Sequence, residues 1–132
     1  MKSTGVFDFP LMQVFCTLHD SAYRPIYDTN IDQARLIKKV ACNTYFIYQK
    51  TKSMLGVSSR DFVLCHHVVQ LSKKSVLIMA FTPNPEANEL QPETKDALRG
   101  YCHVSIIRMS DNHSDTFLVW RLVARGDQSH TD

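Results

Sequence analysis

The sequence lacks long apolar runs, closely spaced cysteines and a large excess of either charge. No run approaches the roughly 20 apolar residues that a membrane-spanning helix needs. Asp8, Pro10 and Gln13 interrupt the apolar stretches near the N-terminus, so no secretory signal core is predicted. The net charge of +2 over 132 residues gives no reason to expect a nucleic-acid partner. These absences predict a soluble, cytoplasmic protein.

Cysteine use indicates reduced thiols rather than disulfides or a metal site. The four cysteines are far apart, and each lies in an apolar stretch: Cys16, Cys42, Cys65 and Cys102. The chain has no C-x-x-C motif and is not a short, cysteine-dense scaffold. In the segment Cys65-His66-His67 the two histidines point to opposite faces of a strand, and no second ligand pair follows at zinc spacing. No metal site, cofactor or catalytic nucleophile is predicted.

Apolar spacing predicts one short helix near the N-terminus. Four apolar residues recur at helical intervals: Leu11, Val14, Phe15 and Leu18. Pro10 suits a first helical turn. We therefore predict a helix over 10–20 that ends before Pro25, because the residue before a proline avoids the helical region. The tail of a strand is expected over 5–9.

The rest of the chain has the β-rich composition of strands. Strands are predicted over 34–50 (two segments around Asn43-Thr44), 61–71, 75–82, 99–109 and 115–125. Residues 83–98 contain three prolines and are predicted to form a long loop, of the kind that serves as a lid or binding loop. The tail 126–132 is expected to be disordered. One helix followed by antiparallel strands, without repeats, predicts a single α+β domain over 1–132.

Several predicted strands are apolar on both faces. Residues 76–81, "VLIMAF", are apolar throughout. One small helix cannot cover both faces of such a sheet. Either a partner or a missing segment completes the covering, or the sheet curls around an apolar cavity.

Four segments contain motifs whose order is informative. They are "LHDSAYRPIYD" at 18–28, "GVSSRDFVLCHH" at 56–67, "ALRGYCHVSIIRM" at 97–109 and "SDTFLVWRLVAR" at 114–125. These segments resemble the YR-x-x-WD corner, the P-x-S-x-RDFV strand, the VRG strand and the threonine-containing strand of the START family, the steroidogenic-acute-regulatory-related lipid-transfer domains. RDFV is the most specific of the four motifs.

This resemblance implies a helix-grip fold, in which a strongly bent antiparallel sheet and a long C-terminal helix enclose one lipid. The implied function is non-enzymatic binding and transfer of a phospholipid, such as phosphatidylcholine, or a sterol-like molecule, with transient membrane contact. Residues 83–98 would form the loop at the tunnel mouth. The chain departs from the family because it starts late and ends after its last strand, so an incomplete START-like domain is expected. The alternative is a truncated module that associates with proteins, or as a homodimer, without lipid transfer.

The resemblance also implies candidate lipid-binding residues. In the phosphatidylcholine-transfer branch, the residues matching Arg24 and Asp28 lie at the headgroup. Arg24 would bind the phosphate through its planar donor fork, and Asp28 with Tyr27 or Tyr48 would contact the quaternary ammonium. A surface ion pair between Arg24 and Asp28 is the alternative. His66 stands where many members have an arginine that points into the cavity, and it supplies a titratable donor instead. The full predicted set is Arg24, Tyr27, Asp28, Tyr48, Phe62, His66, Met79, Phe81 and Trp120.

Overall fold

The computed structural model describes residues 2–112 and 115–124, with side chains over 5–111. The strands are β1 (Lys2–Phe7), β2 (Ile31–Ala41), β3 (Thr44–Thr51), β4 (Arg60–Ser72), β5 (Ser75–Phe81), β6 (Leu98–Arg99), β7 (Cys102–Asn112) and β8 (Asp115–Ala124). The helices are α1 (Leu11–His19), α2 (Arg24–Tyr27) and α3 (Ala87–Leu90), with a 3-10 turn at Ser21–Tyr23. Among the described residues, no helix is long and apolar enough to cross a bilayer. The expected disorder of 126–132 concerns residues outside this description.

The strands form one curved sheet in the order β1-β8-β7-β5-β4-β3-β2, with antiparallel neighbours throughout. The short β6 pairs in parallel with β4. The register of the β2–β3 pair shifts at three places, and such bulges increase the twist of a strand. The predicted α+β class, a curved antiparallel sheet with short helices, is confirmed.

Helix α1 packs against one face of the sheet, which we term the α1 face. The four apolar residues predicted from helical spacing all belong to this contact: Leu11, Val14, Phe15 and Leu18. The sheet contributes Val76, Ile78 and Met109, and Met109 has no exposed surface. Burying side chains of this size stabilises the fold by about 1.5–3 kcal/mol each.

The opposite face, which we term the α3 face, is partly covered by the loop that follows β5. Ala87 of α3 is buried against Tyr48 and Val63, and Leu90 packs beside them. The one-turn helix α3 lies within the predicted loop 83–98. It was not predicted because a single helical turn is too short to give a periodic apolar signal.

The segment between α1 and β2 is more helical than predicted. Helix α1 ends at His19, close to the predicted end. Asp20 then accepts a hydrogen bond from the Ala22 N–H (3.0 Å) and begins the 3-10 turn. Pro25 lies in the first turn of α2, where the missing N–H costs no helical hydrogen bond. α1 ends at His19, where Asp20 is extended, and Pro25 lies within the next helix rather than at the end of α1.

Candidate ligand-binding cavity

Among the residues that the structure describes, the His66 side chain borders two cavities on the α1 face. The first, which we term the sheet cavity, has a volume of about 230 Å³, and its lining includes Arg24, Gln49, Phe62, Leu64, Ile78, Ala80 and Ile107. The second, which we term the helix-end cavity, has a volume of about 350 Å³, and its lining includes Cys16, His19, Leu36, Tyr45 and Ile47. Mostly apolar cavities with a few convergent polar groups are the usual form of ligand sites.

The imidazole of His66 is uncharged at neutral pH. Burial, with further repulsion from His19 and Arg24, lowers its pKa to about 4. A neutral imidazole donates one hydrogen bond and accepts another. His66 therefore supplies the cavity wall with a polar group but no fixed charge.

Two nitrogen atoms near His66 are buried and have no hydrogen-bond partner among the described residues: Nδ1 of His19 and Nε of Arg24. The His19 ring stacks on Phe15, with ring centroids 5.1 Å apart, and meets the Tyr45 ring edge-on at 4.7 Å. Burial lowers the pKa of His19. A buried polar group without a partner costs free energy, so this wall favours a ligand that offers polar atoms.

Arg24, Tyr27 and Asp28 form a small cluster at the edge of the sheet cavity. The Arg24 Nη2 lies 3.2 Å from Asp28 Oδ2, and both side chains are just over a quarter exposed. The Arg24 guanidinium also lies over the Tyr27 ring, 5.6 Å from its centroid. Asp28 Oδ1 accepts a hydrogen bond from the Asn30 N–H (3.1 Å) and so holds the following turn. The cluster is paired internally and borders the cavity through Arg24.

A buried ion pair lies on the α3 face. The Arg99 Nε donates to Asp61 Oδ1 at 2.8 Å, and the two side chains are 2% and 1% exposed. Tyr48 Oη donates to Asp61 Oδ2 at 3.0 Å. Burial, and then the bond to Asp61, raises the pKa of Tyr48 to about 12. Arg99 Nη2 donates to the Gln91 carbonyl at 2.8 Å, which ties the loop after β5 to the sheet.

The family of this chain can be identified from its sequence. Residues 1–122 match the START domain family. The chain belongs to the START domain family. No curated protein matches the sequence.

Solved structures confirm the fold of this START domain. The crystal structure of human STARD10 has a TM-score of 0.79 at 18% identity, over 96% of this chain and 52% of that one. Human StAR-related lipid transfer protein 5 has a TM-score of 0.79 at 20% identity, over 96% of this chain and 63% of that one. The lipid transfer and protein localization domain of human StarD13 (DLC2) has a TM-score of 0.78 at 16% identity, with the same coverage of 96% and 63%. This START domain therefore spans between half and two thirds of these chains.

Five of the nine predicted site residues lie on or beside the α1 face. Arg24, Phe62 and His66 line the sheet cavity. Asp28 lies in the Arg24 cluster, and Tyr27 borders a separate groove beside α1. A side chain at the position of Gly100 would collide with the Phe62 ring, which gives a steric reason for glycine in the L-R-G segment.

Tyr48, Met79 and Phe81 lie on the α3 face instead. Tyr48 contacts Val63 there. Phe81 pairs with Cys65, two residues beyond Val63, and alternate residues of a strand share a face. Met79 precedes Phe81 by two residues and faces the same way. These three side chains therefore point away from the two cavities that His66 borders, and their contact with a lipid stays a prediction.

The loop over 83–98, which was expected at the tunnel mouth, packs through Ala87 and Leu90 on the α3 face. Trp120 lies in β8, but its side chain is outside the described part of the structure.

The sequence reasoning missed Gln49, Ile78 and Ala80, which line the sheet cavity. Strand pairing is the signal that identifies them. Gln49 pairs with Phe62 and Ala80 pairs with His66, and directly paired residues lie on the same face. Once His66 is assigned to the cavity, the pairing of β4 with β5 places its partner Ala80 on the cavity face as well.

Nothing in the described residues favours metal or thiol chemistry. No group of three or more His, Cys, Asp or Glu side chains there is arranged to hold a metal ion. Burial raises the pKa of the Cys65 and Cys102 thiols. Both are therefore protonated at neutral pH, which makes them poor nucleophiles.

Proposed function

We propose that this START domain binds one lipid on its α1 face, either a phospholipid such as phosphatidylcholine or a sterol-like molecule. The sheet cavity is the observation that carries the proposal. Apolar side chains such as Leu64 and Ile78 form its wall, and Arg24, Gln49 and His66 supply a few polar groups. Burial of acyl or ring carbon in such a site contributes about 0.8 kcal/mol per methylene. Two of the similar structures, the StarD13 domain and StAR-related lipid transfer protein 5, carry lipid transfer in their names, which supports the same class of ligand.

In this proposal the lipid headgroup lies at the Arg24 cluster. A charged headgroup that leaves water needs partners, because an unpaired buried ion is very unfavourable. Arg24 binds the phosphate, and Asp28 with Tyr27 contacts the quaternary ammonium. His66 contributes a neutral hydrogen bond deeper in the cavity. The buried, unpartnered Nε of Arg24 supports a ligand acceptor at this point.

The proposed activity is binding rather than catalysis. The protonated thiols of Cys65 and Cys102 support this assignment. The proposal includes a cytoplasmic location and transient contact with membranes, because the lipid has to be collected from a bilayer.

A direct test is to incubate the purified protein with mixed-lipid vesicles, separate it, and record native mass spectra together with lipid extraction. We expect a one-to-one adduct of a single lipid class. A lipid-free homodimer would instead favour the alternative, in which the α1 face serves protein association.

The cavity itself is tested by a matched pair of substitutions. Ala80→Phe places a ring in the sheet cavity, whereas Met79→Phe places the same ring on the α3 face. We expect Ala80→Phe to abolish the lipid adduct and Met79→Phe to retain it. Equal adducts in both variants would exclude the sheet cavity as the site.

The headgroup assignment is tested by Asp28→Asn. If Asp28 contacts the ammonium, this change weakens uptake of phosphatidylcholine by about tenfold, because the headgroup loses a charged partner. The melting temperature should change little, because a partly exposed ion pair such as Arg24–Asp28 contributes little to the free energy of unfolding. A loss of thermal stability with unchanged uptake would identify the cluster as a structural corner.

A further inference from the structure

The groove beside α1 that Tyr27 borders has a mostly apolar wall. We term it the α1 groove, and its volume is about 540 Å³. Its apolar lining includes Phe7, Phe9, Val14, Leu18 and Tyr27. Gln13 and Thr17 also line it, and the Thr17 hydroxyl already donates to the Gln13 carbonyl (2.8 Å). No charged side chain among the described residues lines the groove, so it suits hydrocarbon and offers little to an ion.

Two aromatic side chains of this wall are exposed. Phe7 is 38% exposed and Phe9 is 58% exposed. Single exposed apolar residues are ordinary, but several that line one groove mark a binding site. The α1 groove is therefore a candidate site for an apolar group.

The α1 groove adjoins the sheet cavity at the contact between Arg24 and Tyr27. Arg24 lines the sheet cavity and Tyr27 lines the α1 groove. The Arg24 Nη1 donates to Tyr27 Oη at 3.4 Å, and the guanidinium lies 5.6 Å from the centroid of the Tyr27 ring. Asp28 completes this cluster through its ion pair with Arg24. The proposed headgroup site therefore borders two apolar spaces.

The sheet cavity is too small for both acyl chains of a phospholipid. An apolar cavity of roughly 150 Å³ holds one benzene ring. The sheet cavity, at about 230 Å³, has less than twice this volume, whereas the α1 groove, at about 540 Å³, has more than three times this volume. A two-chain lipid with its headgroup at Arg24 therefore needs a second apolar site.

The helix-end cavity is a poor site for this second chain. His19, Asp20 and Ser21 line it. A hydrocarbon chain laid there would take the Asp20 carboxylate out of water, which is costly for a charged group. The α1 groove, by contrast, has no ionised group among its described lining residues.

We propose that the α1 groove binds one acyl chain of a two-chain glycerophospholipid, while the sheet cavity binds the other chain and the Arg24 cluster binds the headgroup between them. In such a lipid both chains leave the glycerol next to the carbon that bears the phosphate, so they can separate at the headgroup. A sterol is one rigid body and cannot occupy both spaces around the Arg24 cluster. The arrangement therefore selects a diacyl phospholipid.

This inference rests on the proposed function and deepens it, because it names the class of lipid and assigns a second acyl site. Each methylene buried in the groove should raise affinity about fourfold. Burial of two or more methylenes of the second chain should therefore raise affinity more than tenfold. The wild type should for this reason prefer a two-chain lipid to its one-chain form.

The test compares binding of dihexanoyl phosphatidylcholine with binding of its one-chain lyso form, by titration calorimetry. Gln13→Trp is the test variant, because it fills the α1 groove from an exposed position of α1. Met12→Trp is the matched control, since Met12 is also exposed on α1, is outside the groove lining and is rotated about 100° from Gln13 around the helix. We expect Gln13→Trp to weaken binding of the two-chain lipid at least about tenfold and to leave binding of the lyso form unchanged. Met12→Trp should bind both lipids as the wild type does.

The outcomes separate this inference from the proposed function. Equal affinity of the wild type for the two lipids, or an equal effect of Gln13→Trp on both, would overturn the inference. The proposed function would still stand if Ala80→Phe abolished binding, or if the wild type bound only cholesterol delivered from cyclodextrin. Binding of neither phosphatidylcholine nor cholesterol would show that the proposed function itself is wrong.

The position of the second chain is measured directly by photo-crosslinking. The probe is a phosphatidylcholine with a diazirine at the end of its second acyl chain, and peptide mass spectrometry locates the adducts. We expect adducts in two places, on residues 7–18 and on the strands of the sheet cavity. Adducts confined to β5 and β7 would contradict a chain in the α1 groove.

Discussion

At the residue scale, His66 joins the chemistry of the cavity to the stability of the fold. It borders both cavities, and its pKa is lowered to about 4 by burial and, to a smaller extent, by its basic neighbours His19 and Arg24. An arginine in this place would remain charged at every accessible pH. His66 is neutral around pH 7. The cavity without a ligand is therefore spared the cost of burying an unpaired cation at this position.

This lowered pKa predicts a loss of stability in mild acid. Between about pH 6.5 and pH 4 the unfolded chain binds a proton at His66 and the folded chain does not, so the free energy of unfolding falls as the pH falls through this window. We expect His66 to contribute about 2 kcal/mol to the difference between pH 7 and pH 4.5. Urea unfolding at the two pH values measures it.

His66→Gln removes this contribution and should flatten the pH dependence by that amount. His103→Gln, at an exposed histidine, is the matched control substitution. The same slope in wild type and His66→Gln would show that His66 titrates normally.

At the element scale, the Asp61–Arg99 ion pair holds three segments together. It joins β4 to β6, and Arg99 continues to the Gln91 carbonyl and to Asn88 Oδ1 (3.3 Å) in the loop after β5. A loop that is otherwise rich in proline and polar residues is thereby fixed on the α3 face. Tyr48 and Asp61 belong to this structural network and not to the cavity.

Loss of one partner of this pair should be strongly destabilising. Arg99→Met leaves the Asp61 carboxylate buried without its cation, and we expect a loss of about 3–5 kcal/mol in the free energy of unfolding. Hydrogen exchange of residues 83–97 should become faster, because the loop loses its bond to Arg99. Urea unfolding and exchange mass spectrometry measure the two effects.

The double variant Asp61→Leu/Arg99→Met should be less destabilised than the sum of its single changes, since it leaves no unpaired charge. Lys50→Met, at the more exposed pair with Asp96, is the control and should have a small effect. Strictly additive losses would show that the pair is not energetically coupled.

At the scale of the whole molecule, the two faces of one sheet have different roles. The α1 face carries the helix contact around Met109 and the two cavities, and the α3 face carries the buried ion pair and the loop with α3. The proposed ligand binding and the loop anchoring thus use alternate residues of the same strands. Substitutions at neighbouring positions of β5 should for this reason differ in effect: one should alter lipid binding on the α1 face, and the next should alter packing on the α3 face.

Binding at the cavity should stabilise the whole domain. A lipid that binds only the folded state, at a free concentration of a hundred times its Kd, adds about 2.7 kcal/mol to the free energy of unfolding. We expect the melting temperature to rise with short-chain phosphatidylcholine in the wild type and in Met79→Phe. Ala80→Phe should show no rise, and a rise of the same size in that variant would place the ligand elsewhere.

The sequence by itself determined helix α1, most of the long strands, the fold class and the family. The spacing of Leu11, Val14, Phe15 and Leu18 predicts α1 because helical periodicity is a local property, and the RDFV and L-R-G segments are visible without coordinates. The hairpins follow from β-rich runs separated by short polar turns. The Arg24–Asp28 pair could also be predicted, since residues four apart are neighbours on a helical turn.

Only the tertiary structure decided which face of the sheet each strand residue occupies. In an all-apolar run such as 76–81 the alternation gives no sign of which set points to the cavity, and a shift of one residue exchanges the two faces. The sequence analysis therefore selected Met79 and Phe81 from this run, whereas Ile78 and Ala80 line the sheet cavity. The burial of the Asp61–Arg99 ion pair could not be predicted from the sequence either. These features depend on strand register and on contacts between residues far apart in the chain, which a local pattern does not contain.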